Sequence, residues 1–518
     1  MATSVHEGTV RELRSAPLAR MRWLAAIREH RWLAAAAAAG VAGTLAVASS
    51  VPMPRGPVTS GEGMFAIFAS VAVGIVAGYL MGSRWAMLVA PLAYLAAYEL
   101  SRIGIDGASL DGIRLDTVYG VLALIVGRGL HGLLALFPMA VGGAIGVALA
   151  RPPKRAISLV PTGILALAVI GLAVLVALPG STPPVLGADG EPLLGSIAEV
   201  ATVELGGQDQ SILVRASDPD APVLLYLSGG PGQTDLGYGR VLLEPLVADF
   251  VVVVWDQRGT GTSYGALDPT EGLTLDQAVA DTIQLSALLA DRFDEERIYL
   301  LGESWGSTLG VLAAQERPDL FHAYIGSGQM VSQRVTDQII WRDLLAYADR
   351  TGDGELYDQV LTFGEPPYRD TPWSNSVVMG YYPLLETAYT PPAAYIERGE
   401  ASGVGPYGIL ASEYGFIDKV NALRGLLDTF SLMYPQLQDV DFRADVPALD
   451  VPVWVLDGEH ELRARRDLAL EWFAGLSAPT KELVTYADAG HSVVFEQADA
   501  FHRLMVDEIV PATYGVGR

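Results

Sequence analysis

The chain contains no cysteine in its 518 residues. That absence excludes a disulfide framework, a thiolate zinc site, an iron–sulfur cluster and a cysteine nucleophile. It leaves the compartment open. Basic residues are also scarce, 34 Lys and Arg against 59 Asp and Glu, for a net charge of −25. A chain this acidic lacks the basic face that a nucleic-acid partner requires. There is no H-E-x-x-H, no Walker loop and no dinucleotide fingerprint, so neither a metal nor an organic cofactor is expected. No repeat of 20–50 residues is visible either. What the chain does have is an odd pairing: 51% hydrophobic residues with 18% charged. The charge must therefore be unevenly distributed.

It divides near residue 180. Residues 1–180 carry 14 Lys and Arg and 8 Asp and Glu, a net of +6, whereas the remainder carries 20 and 51, a net of −31. The first part reads as an α-helical transmembrane domain over 32–178 with about five helices, preceded by a basic, cytoplasmic N-terminus at 1–31. A helix needs ~20 apolar residues to cross the ~30 Å hydrocarbon layer. Trp32–Val51, Met64–Gly82, Gly132–Ala150 and Ile157–Leu178 supply them, and Trp85–Leu100, with Pro91 inside, is a shorter fifth. Thr117–Val126 is apolar but is followed by Arg128 and His131, and it reads as a lead-in or re-entrant piece. The arginines at 11, 14, 20, 22, 28 and 31 place the N-terminus in the cytoplasm. Five crossings then put Arg84, Arg151, Lys154 and Arg155 inside, with Arg55 outside. Arg102 and Arg114 also fall outside, offset by Asp106, Asp111 and Asp116. Everything after Leu178 is thereby expected outside the cytoplasm. No small-residue cleavage pattern ends the first span, so it reads as a retained anchor rather than a signal peptide. The Gly74…Gly78 and Gly142…Gly146 pairs fit the spacing of close helix packing within a bundle.

A Pro/Gly-rich stretch at 179–196 reads as a linker. From about Ile197 short β-branched runs alternate with amphipathic stretches, the pattern of a mostly parallel α/β sheet. Val223–Leu227 and Val251–Trp255 are continuous apolar runs, as strands covered on both faces should be. Residues 330–443 break the alternation and are rich in aromatics, including Trp341, Trp373, Tyr381, Tyr382, Tyr389, Tyr395, Tyr407 and Tyr414. They read as a helical cap inserted between strands.

Candidate chemistry collects at strand ends. Gly302-Glu303-Ser304-Trp305-Gly306 lies between a predicted strand and a predicted helix, the context of a G-x-S-x-G nucleophile elbow. Such a serine needs a base and an acid to orient it. His491 follows the predicted strand Glu482–Tyr486; His460 is its rival but lies in the turn where the acid should be. Asp457, Glu459 and Glu461 are the acids after the strand Val453–Leu456. The order serine, acid, histidine is that of α/β hydrolases. Ser228-Gly229-Gly230-Pro231-Gly232 is a glycine-rich loop able to expose amides, so that the N–H groups of Gly230 and Trp305 form an oxyanion hole.

Ser228–Gly232, Asp256-Gln257-Arg258-Gly259-Thr260-Gly261-Thr262-Ser263, Gly302–Ser307 and Ala489–Ser492 together resemble the proline iminopeptidase family of α/β hydrolases, over about residues 197–518. The resemblance implies an α/β-hydrolase fold with a helical cap. It also implies a Ser304–His491–acid triad and release of an N-terminal residue from a peptide through an acyl-enzyme. The family pattern places the acid three residues after the glycine, at Glu461, with Asp457 as the alternative. Asp256–Ser263 then serve as scaffold. The family reads a free substrate amine with acids of the cap, for which Glu386 and Glu413 are candidates beside a default of exposed surface. Two departures stand out: Ser228 replaces the family's usual histidine, and Glu461 its usual aspartate. The expected partners are a small peptide or ester substrate and the lipid bilayer, in a multi-pass cell-membrane protein. An esterase or lipase acting on membrane-derived esters is an alternative, and an inactive hydrolase-fold binding module is a third.

Overall fold

The computed structural model describes residues 28–105, 107–110, 112–115, 117–398 and 407–515. The arginines at 11, 14, 20 and 22 and the acids at 106, 111 and 116 lie outside the described residues. Two compact units emerge. One holds the described residues up to 105 together with Leu124–Pro179, and the other holds those of 107–123 and 180–515.

Among the described residues four helices are long and apolar enough to cross a membrane: Arg31–Ser50, Ser60–Met81, Val118–Ala150 and Ala156–Ala177. Ala86–Ser101, 16 residues with Pro91 inside, is a shorter apolar helix. The poly-alanine stretch has a clear packing role. Ala34, Ala38, Ala42 and Ala46, spaced one turn apart on one face, are all buried, the last three in one cluster with Ala90, Tyr94 and Tyr98. The glycine pairs mesh with each other inside the bundle. A methyl group at Gly78 would sit 2.1 Å from the Gly143 carbonyl, and one at Gly146 would sit 2.1 Å from that of Ile75. Only hydrogen at these positions lets the two backbones approach so closely.

The stretch read as a lead-in is instead the start of one continuous element of 33 residues, Val118–Ala150, with π-helical turns at Ile125–Gly129 and Gly132–Leu136. Arg128 and His131 do not end it, because a neighbouring helix supplies their partners. Arg128 pairs with Glu99 at 3.3 Å, and a His131 ring nitrogen lies 3.0 Å from the Tyr94 hydroxyl.

The second unit is built on an eight-stranded sheet in the order β1-β2-β4-β3-β5-β6-β7-β8. The strands are β1 (Ile197–Leu205), β2 (Gln208–Ala216), β3 (Val223–Leu227), β4 (Val251–Asp256), β5 (Ile298–Glu303), β6 (Phe321–Ser327), β7 (Val453–Gly458) and β8 (Lys481–Tyr486). β1, β2 and β4 pair antiparallel, and all neighbours from β4 to β8 run parallel. Every residue of β3, β4, β5 and β7 is buried, which explains their uninterrupted apolar runs. The chain lays β4 on one side of β3 and β5 on the other, so the order reverses at β3. Crevices at such reversals, outside the C-terminal strand ends, are where open α/β sheets bind ligands.

Between β6 and β7 comes the cap, with helices Gln333–Thr351, Gly354–Phe363, Trp373–Met379 and Phe416–Met433. Its own core packs Ile340, Leu344, Ala348, Leu356 and Val360. Trp373, Tyr395 and Tyr414 are buried, as default core aromatics would be. The stretch at 179–196 lies along this unit from Gly180 onward. Ser181 donates to the Ser412 carbonyl at 2.8 Å, Arg215 donates to the Pro183 carbonyl at 2.7 Å, and Val185 is buried.

Candidate active site at the strand ends

Ser304 is the last residue before the helix Trp305–Glu316 and has φ 53° and ψ −119°. This is one of two non-glycine residues with positive φ among those described. Such a conformation costs on the order of 1–3 kcal/mol and persists only when the surroundings enforce it. Here they do. A methyl group at Gly302 would sit 2.4 Å from the Gly306 carbonyl, and one at Gly306 would sit 2.0 Å from that of Leu227. The two glycines let strand, turn and helix close on one another, and the Ser304 N–H is tied to the Ser327 carbonyl at 2.9 Å. Behind the serine, the helix N-terminus presents the positive end of its dipole.

His491 follows β8, and its Nε2 lies 2.9 Å from Ser304 Oγ. Its Nδ1 is hydrogen-bonded to Glu461 Oε2. The turns after β7 and β8 are laced together: Glu459 N–H donates to the Tyr486 carbonyl and His460 N–H to that of Ala489, both at 3.0 Å. A methyl group at Gly458 would sit 2.0 Å from the Gly490 carbonyl, so glycine there permits this contact. An ionised carboxylate can only accept, so Nδ1 carries the ring proton and Nε2 is left to accept from the Ser304 hydroxyl.

Glu461 is itself held from the far side. Arg465 Nε donates to Oε1 at 2.9 Å, and the Leu462 N–H donates to the same oxygen at 2.6 Å. Burial acts to raise its pKa. The charges of His491 and Arg465 and their hydrogen bonds overcome that effect and hold the carboxyl down at about 2. Asp457 does not reach the histidine. It accepts from Arg466 Nε at 3.0 Å and from Thr485 Oγ1 at 3.2 Å. His460 is engaged elsewhere, with Nδ1 2.7 Å from Thr387 Oγ1 and its ring stacked on Tyr389.

Gly230 and Trp305 lie on the two segments flanking the serine. A methyl group at Gly229 would contact Ser304 Cβ at 3.4 Å, and Gly230 has φ +120°. The side chain of Gln257 ties these segments together: its Nε2 donates to the Ser228 carbonyl at 3.1 Å, and its Oε1 accepts from Trp305 Nε1 at 2.8 Å. The rest of Asp256–Ser263 is scaffold in a literal sense. Asp256 accepts from Thr262 N–H at 2.9 Å, and Arg258 pairs with buried Asp281 at 2.9 Å.

A buried acid pair beneath the elbow has no local sequence signal. The Tyr226 hydroxyl lies 2.8 Å from Glu303 Oε2 and 3.0 Å from Asp235 Oδ2. One hydroxyl proton serves only one of these bonds at a time. Burial first, and then the Glu303 charge, raise the Asp235 pKa to about 7. Burial likewise raises Asp256 to about 7, against the lowering effect of bonds from Thr234 and Thr262. Of the cap acids, Glu413 is buried and paired with Arg240 at 2.6 Å, while Glu386 is exposed. Among the described residues no group of three His, Asp or Glu is arranged to hold a metal ion.

Residues 222–376 match the family model described as the alpha/beta hydrolase fold. The chain carries an α/β-hydrolase domain. The domain is similar to a Bacillus subtilis protein named "probable aminopeptidase YbaC", 27% identical over 307 residues, which span 59% of this chain and 94% of that protein. A "probable proline iminopeptidase" of Leptolyngbya boryana is 24% identical over 54% of this chain and 84% of its own length. Among solved structures, a proline iminopeptidase-related protein from Thermus thermophilus aligns over 61% of this chain and 98% of its own, at 21% identity and a TM-score of 0.41.

Proposed function

We propose that this chain is a membrane-anchored serine hydrolase of the aminopeptidase type, acting through Ser304, His491 and Glu461. The observation that carries the reading is His491 bonded on one side to a strained, half-buried Ser304 and on the other to an ionised Glu461. In the first step Ser304 Oγ attacks the substrate carbonyl carbon while His491 Nε2 takes its proton. The N–H groups of Gly230 and Trp305 hold the oxyanion. The tetrahedral intermediate collapses as His491 returns the proton to the departing amine, which leaves the acyl group on Ser304. Water, deprotonated by the same nitrogen, then attacks the acyl-enzyme and frees the acid and the serine. Glu461 keeps the imidazole in the useful tautomer and balances its charge when both nitrogens are protonated.

The names of the relatives support an amide substrate with a free N-terminus. The long apolar helices support a membrane anchor. An idle binding module has no need of a strained serine in register with a base and an acid. A matched panel of proline, alanine and other aminoacyl amides beside short-chain esters tests the substrate class. Turnover of aminoacyl amides is expected. Turnover of esters with none of any aminoacyl amide would overturn the peptidase assignment.

A further inference from the structure

Residues 107–110 lie in sequence between two apolar helices, yet they group with the hydrolase unit. Ala108, Ser109 and Leu110 are buried. Ser109 grips Asp428 of the cap helix Phe416–Met433 with both its donors: N–H to Oδ1 at 2.8 Å and Oγ to Oδ2 at 2.6 Å. Tyr264, from the turn that follows the Asp256–Thr260 loop, donates to Oδ2 at 2.6 Å. Asp428 is fully buried, so these donors take the place of the water that its carboxylate gives up.

One turn before Asp428 the same helix presses on the loops around Ser304. A methyl group at Gly425 would sit 2.9 Å from the Gly232 carbonyl and 3.0 Å from that of Gly259, and Thr429 Oγ1 donates to Gly259 O at 2.6 Å. Gly232 ends the glycine loop that carries Gly230, and Gly259 follows the segment that carries Gln257.

We infer that residues 107–110 form a strap, with Ser109 and Asp428 as positioning residues that set the helix Phe416–Met433 against the oxyanion loop. The inference rests on the serine-hydrolase reading of Ser304. Neither residue touches the reacting atoms. Loosening the strap lets Gly230 drift from the developing oxyanion, so the loss falls on kcat rather than on substrate binding.

The test uses the full chain in detergent or nanodiscs, with Ser109→Ala, Ser109→Thr and Tyr264→Phe assayed on the best substrate of the panel. Ser109→Ala is expected to lower kcat about tenfold, short of the ~10²–10³ lost when an oxyanion donor is removed outright, with KM changed less than about twofold. Ser109→Thr keeps the hydroxyl and is expected to regain most of the rate. Tyr264→Phe, which removes a different donor from the same carboxylate, should shift kcat in the same direction and covers the case in which a Ser109 variant does not fold. Unchanged kcat in Ser109→Ala and Tyr264→Phe would overturn the inference, as would a loss that falls on KM. A Thr variant as impaired as the Ala variant would do the same. Wild type that turns over no panel substrate would refute the underlying reading instead.

Discussion

The acid that completes the site depends on a distinction of four residues. Asp457 lies inside a buried strand, one residue from its end, and is neutralised by Arg466, whereas Glu461 is carried by the following turn to His491 and neutralised on its other oxygen by Arg465. Glu461→Gln should therefore cost kcat ~10³–10⁴-fold, the scale of losing the tautomer that lets a histidine act as base, while Asp457→Asn should change it less than about threefold. Steady-state kinetics on both variants checks this. The buried pair gives a pH signature of a different sign. The Asp235 pKa is raised to about 7, so its stabilising contribution is present at low pH and is lost as pH rises through that value. Asp235→Asn should gain thermal stability relative to wild type between about pH 5 and about pH 8; a difference independent of pH would contradict the assignment. At this scale Ser304 and His491 were legible because an elbow imposes glycines at fixed offsets and the histidine directly follows a strand. The choice of Glu461 over Asp457 needed the family pattern. Tyr226, Asp235 and Glu303 were not legible, since only the sheet brings β3, β5 and the intervening loop together.

Elements were read well where their signal is local and poorly where a neighbour decides. Strands β3, β4, β5 and β7 follow from continuous apolar runs, and the cap from the break in alternation. The 33-residue helix Val118–Ala150 did not follow. Arg128 and His131 read as interruptions until Glu99 and Tyr94, on another helix, are seen to receive them. The glycine pairs make a prediction about helix packing. Gly78→Leu would place a side chain where a single methyl already meets the Gly143 carbonyl, and overpacking of this kind costs ~1–3 kcal/mol or more. Gly40→Leu, with no heavy atom within 4 Å of its would-be Cβ, should be neutral. Thermal unfolding of the two variants in detergent distinguishes them, and equal midpoints would contradict the packing account.

For the whole molecule, the net charge of −25 averages a +6 helical part and a −31 hydrolase part. The positive-inside pattern of the sequence carries the expectation that the hydrolase domain lies outside the cytoplasm. The absence of cysteine makes the test clean. Leu194, 96% exposed in the hydrolase unit, changed to Cys should react with a membrane-impermeant maleimide in intact cells, and Arg84→Cys should react only after permeabilisation. The reverse pattern would invert the topology.

The central claim is that Ser304 is an activated nucleophile, and a fluorophosphonate probe tests it directly. The full-length wild type should be labelled covalently at one site, and Ser304→Ala, folded to the same thermal midpoint, should not be labelled at all. Well-folded wild type that resists the probe, or labelling that survives Ser304→Ala, would contradict the account.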